Sequence, residues 1–137
     1  MTVADTGAIV ALIDADDRHH EGILDLFERD PQGWVLPWAI LPEVDYIVHS
    51  ELGGEVERAF VEDLANGAFV VEWGEAADLS RASELCRTYR DLELGLVDAV
   101  VMAIAERIGA EAIVTLDLRD FAAVQIRGAP KLLPRDA

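Results

Sequence analysis

Short apolar runs alternate with amphipathic segments along most of this chain. Residues 1–4, 34–37 (WVLP) and 68–73 (AFVVEW), the run that opens EAIVTLD (111–117), and a last edge segment ending at Leu133 have the β-branched, apolar character of strands. Between them the apolar residues recur at helical spacing, as in DTGAIVALID, HHEGILDLFERD, EVERAFVEDLA, residues 75–90, LVDAVVMAIAERI and RDFAAV. A further helix is expected to begin near Glu43, with Pro42 in its first turn, and to end before Gly53.

This order of elements predicts an α/β fold. Strands that alternate with helices, without linkers or repeats, are typical of a three-layer α/β/α sandwich with a central, mainly parallel sheet. The length of 137 residues and the 52% hydrophobic content suit one domain spanning residues 1–137. The chain has no apolar run of membrane-spanning length and no signal peptide pattern, so a cytoplasmic location is expected, without a membrane partner.

The charge balance excludes a general affinity for polyanions. The chain carries 27 Asp and Glu against 11 Lys and Arg, for a net charge of −16. A protein of this charge does not coat nucleic acid non-specifically. An acidic nuclease is not excluded, because a few arginines and a bound divalent metal can bind RNA locally while the rest of the surface repels it. Binding of RNA would therefore be selective, or would need a partner.

Four acidic residues fall where parallel strands end and helices begin, which is where open α/β sheets bind ligands. They are Asp5, Glu43, Asp98 and Asp117. Singly, Asp5, Glu43 and Asp117 are also explained as helix caps or first-turn acids. Asp98 is harder to explain in that way, because apolar residues flank it on both sides and no Lys or Arg is near it in sequence.

Four carboxylates in one crevice would repel one another unless divalent cations lie between them. Oxygen ligands favour Mg²⁺, with Mn²⁺ as a substitute, over zinc. Such a site lowers the pKa of water and stabilises charge on a leaving oxygen, so phosphodiester hydrolysis is the chemistry that fits best.

The segments ADTGAIVALID, LPEVDYIV, LGLVDAVVMAIAERIG and IVTLDLRDF resemble, in order and spacing, the motifs of the PIN-domain family as found in VapC-type toxins. The resemblance covers residues 5–121. It implies an Mg²⁺-dependent endoribonuclease that cuts a structured transfer or ribosomal RNA, commonly as a homodimer, and that is silenced by an antitoxin protein.

The resemblance also implies roles for single residues. Asp5, Glu43, Asp98 and Asp117 match the family's acidic quartet, with Asp5 and Asp98 most directly tied to the metal. Thr6 and Thr115 match hydroxyl positions that hold water or a phosphate oxygen. For Asp120, in TLDLRDF, both an auxiliary ligand and a helix cap are open, and the cap is favoured.

Arg119 is ranked first among the arginines as a phosphate contact, because it follows Asp117 by two residues at the mouth of the expected site.

Other functions remain as alternatives. A receiver-type phosphoacceptor is disfavoured, because the only lysine, Lys131, lies in the tail and no adjacent acidic pair follows the first strand. A haloacid-dehalogenase-like phosphatase needs two aspartates separated by one residue, whereas Asp5 is followed by Thr6 and Gly7. A housekeeping RNA-processing nuclease and a non-catalytic interaction protein on the same fold stay open.

Overall fold

A computed structural model describes all 137 residues and has five strands connected by helices. The strands are β1 (Thr2–Ala4), β2 (Trp34–Pro37), β3 (Val70–Glu72), β4 (Ala112–Val114) and β5 (Lys131–Leu133). The helices are α1 (Thr6–Ile13), α2 (His20–Arg29), α3 (Ile40–Leu52), α4 (Gly54–Ala65), α5 (Ala76–Thr88), α6 (Leu96–Arg107) and α7 (Leu118–Ala123). A 3₁₀ helix spans Arg90–Leu92. The predicted α/β fold with a parallel sheet is therefore confirmed, including the edge strand that ends at Leu133.

All five strands run parallel, in the order β3-β2-β1-β4-β5. The central strand β1 pairs with β2 and β4, and its register with β4 sets Ala4 opposite Val114. Strands β2 and β4 are buried along their whole length, as continuous apolar strands of covered parallel sheets usually are. The register also makes Asp5 and Thr115 neighbours just beyond the strand ends.

The strand order explains how the helices divide into layers. Connections from β1 to β2 and from β2 to β3 run toward one edge, whereas the connection from β3 to β4 returns across the sheet. Because such crossovers are right-handed, the two directions set helices on opposite faces. The helix contacts agree: α1 packs on α2 and α3, α3 packs on α4, and α5 packs on α6. The strand ends between β1 and β4 therefore form the topological switch point.

Helix α6 forms much of the core on its side of the sheet. Seven consecutive residues, from Ala99 to Ala105, are buried. Arg107, in its last turn, donates to Asp78 of α5 (Nε to Oδ1, 2.8 Å) and to Glu72 of β3 (Nη2 to Oε1, 2.7 Å). The buried carboxylate of Asp78 is thus paired, and the ion pairs fix α6 against α5 and the sheet.

The predicted start of α3 was wrong. Helix α3 begins at Ile40 and not near Glu43. Pro42 is tolerated there because the first N–H groups of a helix have no acceptor within the helix, so a missing donor costs little. Glu43 still lies in the first turn. No helix of the protein has both the length and the apolar character needed to cross a membrane.

Candidate metal centre

The carboxyl ends of β1 and β4 carry two acids that begin helices. Asp5 follows β1 and is the N-cap residue of α1, and Asp117 follows β4 and is the N-cap residue of α7. These two strands are neighbours in the sheet, so both acids lie at the switch point, where open parallel sheets bind ligands.

Asp5 is held by a dense set of hydrogen bonds. Its backbone N–H donates to the carbonyl of Val114 at 3.0 Å. Its Oδ1 accepts from the backbone N–H of Thr6 at 2.8 Å, and its Oδ2 accepts from the hydroxyl of Thr115 at 3.0 Å. Burial nevertheless raises the pKa of Asp5 to about 6, assisted by the negative charges of Asp117 and Glu43, while the two hydrogen bonds act in the opposite direction.

Asp98, in the first turn of α6, faces the other acids of the site. Burial raises its pKa to about 7, and the charges of Asp5, Asp117, Asp120 and Glu43 raise it further. No basic side chain pairs with it. A carboxyl group with these surroundings is stabilised either by a proton or by a cation beside it.

The closest cluster of the site consists of Asp98, Asp117 and Asp120. One carboxylate oxygen from each lies within 4.8 Å of the other two, and all three residues are half-buried. Oδ1 of Asp120 is buried and has no hydrogen-bond partner. The basic group beside it is Arg119, whose Nε is 3.8 Å from that oxygen while its side chain remains 75% exposed.

The interpretation of Asp120 as a helix cap does not hold. Asp117 is the N-cap residue of α7, and Asp120 lies in the first turn with its carboxylate toward the other acids. A sequence signal for this was present: residues i and i+3 at the start of a helix share a face, so Asp117 and Asp120 present their carboxylates together.

Glu43 and Asp5 lie outside the closest cluster but near it. Both contribute to the raised pKa of Asp98 through their charge. Glu43 is exposed on α3, whereas Asp5 is buried. The structure therefore brings all four predicted acids to one place and adds Asp120 to them.

The two predicted threonines differ in what their hydroxyls do. Thr115 is fully buried, donates to Asp5 and accepts from the backbone N–H of Asp117 at 3.1 Å. Thr6 is also buried, but its Oγ1 has no hydrogen-bond partner. Buried polar atoms are nearly always satisfied in folded proteins, so the hydroxyl of Thr6 points to a missing partner.

The donor set fits a hard divalent cation. It consists of carboxylate oxygens without thiolate or imidazole, which favours Mg²⁺ or Mn²⁺. Asp98, Asp117 and Asp120 are spaced closely enough to share one ion, and the orphaned oxygen of Asp120 would gain a partner.

Comparison with known proteins agrees with this fold. The family model described as PIN domain matches residues 2–126. The ribonuclease VapC26 of Mycobacterium tuberculosis is 29% identical over 123 residues, which cover 90% of this chain and 91% of that protein.

Several solved structures share the fold. VapC20 of Mycobacterium tuberculosis, described as a sarcin-ricin loop cleaving toxin, superposes with a TM-score of 0.82 at 22% identity, covering 95% of this chain and 99% of that one. A chain of the DNA-bound VapBC of Salmonella typhimurium gives 0.72 at 20% identity, covering 96% and 95%. With its sheet order, its acids at the switch point and a family match over most of its length, the chain belongs to the PIN domain family.

Proposed function

We propose that the protein is a divalent-metal-dependent endoribonuclease of the VapC type, the toxin of a toxin-antitoxin pair, and that residues 1–137 act as one nuclease domain. The observation that carries the proposal is the cluster of Asp98, Asp117 and Asp120, with their oxygens within 4.8 Å, at the switch point of a PIN domain. The likeness to the ribonuclease VapC26 over nine-tenths of the chain supports RNA as the substrate.

Asp98, Asp117 and Asp120 would hold Mg²⁺, with Asp5 and Glu43 beside them. A bound Mg²⁺ would lower the pKa of water and stabilise the charge that develops on the phosphate and the leaving oxygen. Mn²⁺, which accepts the same oxygen ligands, would substitute. Asp5 and Asp98 would give up the protons that their raised pKa values let them keep in the metal-free protein.

The remaining residues would act on the substrate. Glu43 is the most exposed of the four predicted acids, and we assign its carboxylate the role of accepting a proton from the attacking water. The unpartnered hydroxyl of Thr6 would donate to a phosphate oxygen. Arg119, mostly exposed beside Asp120, would contact a neighbouring phosphate of the RNA.

Replacement of Arg119 by Ala is expected to raise KM for RNA roughly fivefold and to reduce the slope of log affinity against log salt by about one, with kcat nearly unchanged. The reason is that one phosphate contact is lost while the carboxylates stay in place. Arg29→Ala is the matched control: Arg29 is equally exposed, also lies beside one aspartate, and is at the opposite, amino end of the strands. Equal effects of the two substitutions would contradict a local role for Arg119.

A partner protein is part of the proposal. Solved structures with the same fold include a toxin-antitoxin complex from Klebsiella pneumoniae and the DNA-bound VapBC of Salmonella typhimurium, which supports a cognate antitoxin for this chain. We also propose a homodimer, in which arginines from two copies would line one RNA groove. A single chain with net charge −16 has few basic side chains available to bind RNA. The number of phosphates neutralised, read from the salt dependence of RNA binding, tests this: a slope equivalent to one or two phosphates would contradict the groove.

The first test is cleavage of RNA by the purified protein. We expect fragments from total RNA in Mg²⁺ or Mn²⁺ and none in EDTA, because the carboxylates have no electrophile without a cation. A sarcin-ricin loop RNA and transfer RNAs, incubated separately, would identify the structured target. Intact RNA in every condition, from folded protein that binds Mn²⁺, would contradict the nuclease and favour an interaction protein. Selective cleavage of RNA precursors would favour a processing nuclease over a toxin.

A further inference from the structure

The hydroxyl of Thr115 connects two acids that lie 112 positions apart in the sequence. It donates to Oδ2 of Asp5 at 3.0 Å and accepts from the backbone N–H of Asp117 at 3.1 Å. Thr115 itself is 1% exposed, and its backbone N–H donates to the carbonyl of Leu133 in the next strand. The side chain is therefore fixed by the sheet beneath it and lies between the two acids.

These two hydrogen bonds use the only proton of the hydroxyl and one of its two acceptor lone pairs. A threonine hydroxyl has one proton, and that proton is given to Asp5. A carboxylate that accepts from Thr6 on one oxygen and from Thr115 on the other has a fixed orientation. The N–H of Asp117 in turn fixes the start of the turn that carries Asp117 and, one helical turn later, Asp120.

The contrast with Thr6 separates the two threonines. Thr6 retains an unpartnered hydroxyl that is available to a ligand, whereas Thr115 has no proton left for one. The same residue type beside neighbouring strands thus has two different hydrogen-bonding states. Thr6 is therefore suited to contact the substrate, whereas Thr115 is suited to orient other residues of the site.

We propose that Thr115 is a positioning residue that fixes the carboxylate of Asp5 and the turn of Asp117 relative to each other, and so preorganises the metal centre. This inference rests on the proposed function in that it assumes a divalent cation at the acidic cluster. Groups that orient metal ligands commonly change metal affinity or activity 10- to 100-fold when they are removed.

The test compares Thr115→Val, which keeps the shape and removes the hydroxyl, with Thr115→Ser, which keeps the hydroxyl. Mn²⁺ affinity by titration calorimetry is expected to fall roughly 10- to 100-fold in the Val variant and to stay within about threefold in the Ser variant. In cleavage assays at saturating Mn²⁺, kcat should fall in the Val variant while KM for RNA stays unchanged. A loss of packing alone would not be rescued by Ser, which is smaller than Val.

Thermal unfolding in EDTA shows whether the Val variant folds, and Thr115→Ala replaces it in the comparison if it does not. Wild-type Mn²⁺ affinity in the folded Val or Ala variant would overturn the proposal. So would a raised KM for RNA with unchanged Mn²⁺ affinity, which would make Thr115 a substrate contact. If the wild-type protein binds Mn²⁺ but cuts no RNA, the proposed function fails, whereas Thr115 is still judged by the Mn²⁺ affinities.

Discussion

In the Asp98→Asn variant, RNA cleavage is expected to fall roughly a thousandfold or more, while the metal-free protein becomes harder to unfold. The loss of activity follows from the position of Asp98, which shares the closest cluster with Asp117 and Asp120 and faces Asp5. An amide supplies no charge to hold a cation. Losing about 4 kcal/mol of transition-state stabilisation corresponds to roughly a thousandfold in rate.

The gain in stability has the same origin. Burial and four neighbouring acids raise the pKa of Asp98 to about 7, so at pH 8 the folded metal-free protein carries an ionised carboxylate that its surroundings disfavour. Asparagine has nearly the same shape and no charge. Because the side chain is only half-buried and solvent screens part of the repulsion, we expect the substitution to raise the free energy of unfolding by about 1–2 kcal/mol. Thermal unfolding at pH 8 in EDTA measures it.

Asp78→Asn is the contrasting control. Asp78 is a buried acid like Asp5, but it accepts two hydrogen bonds from Arg107 and lies away from the cluster. Its replacement should destabilise the protein by about 2 kcal/mol or more, because Arg107 loses its most buried charged partner, and should leave kcat unchanged. Destabilisation of the metal-free protein by both substitutions would contradict the view that the acids of the cluster repel one another.

The alternation of strands and helices could be predicted from the sequence, because the period of the apolar residues is local information. WVLP is strand β2 to the residue, and the helix predicted over LVDAVVMAIAERI is α6, in which seven consecutive residues are buried. The order of strands in the sheet is a property of long-range pairing and was not predictable from these patterns. That order decides which acids meet, since it sets β4 beside β1.

The site was predicted in outline and corrected in detail. Asp5, Glu43, Asp98 and Asp117 converge, but the closest cluster also contains Asp120. The i, i+3 spacing of Asp117 and Asp120 indicated this, although a helix cap was favoured for Asp120. Asp at the start of a short helix is usually explained as a cap, and only the position of Asp117 as the N-cap residue turns Asp120 into a potential ligand. The metal assignment itself remains a proposal.

The arginines show a further limit of prediction from the sequence. Arg107 has a raised pKa because its hydrogen bonds to Asp78 and Glu72 stabilise its charge, and Arg81 has one because of Glu106. Both cations are therefore engaged within the fold, which the spacing of charges along the chain does not reveal. Arg119 is mostly exposed and pairs with only one acid, so its role as a phosphate contact stays a prediction.

The affinity of the protein for Mn²⁺ is expected to fall roughly 100-fold between pH 8 and pH 5.5. The pKa values of Asp98 and Asp5 are raised to about 7 and about 6 in the metal-free protein, so both groups are ionised at pH 8 and mostly protonated at pH 5.5. A cation binds the ionised forms, and protons compete with it for both carboxylates. Because the two groups interact, the titration belongs to the pair rather than to either residue.

Without metal, the free energy of unfolding depends on pH in the opposite direction to the Mn²⁺ affinity. Folded pKa values above the unfolded values mean that the folded protein binds protons more tightly, so unfolding in EDTA should become harder as pH falls from 8 toward 5. At saturating Mn²⁺ this dependence should nearly vanish over the same range, because the metal-bound folded protein and the unfolded chain both carry the two carboxylates ionised. Calorimetric Mn²⁺ titrations at several pH values measure how the affinity changes with pH. In the Asp98→Asn variant the affinity should change less steeply with pH, because one of the two protons that compete with the cation is gone. An affinity independent of pH in the wild-type protein would mean that the cation binds away from Asp5 and Asp98.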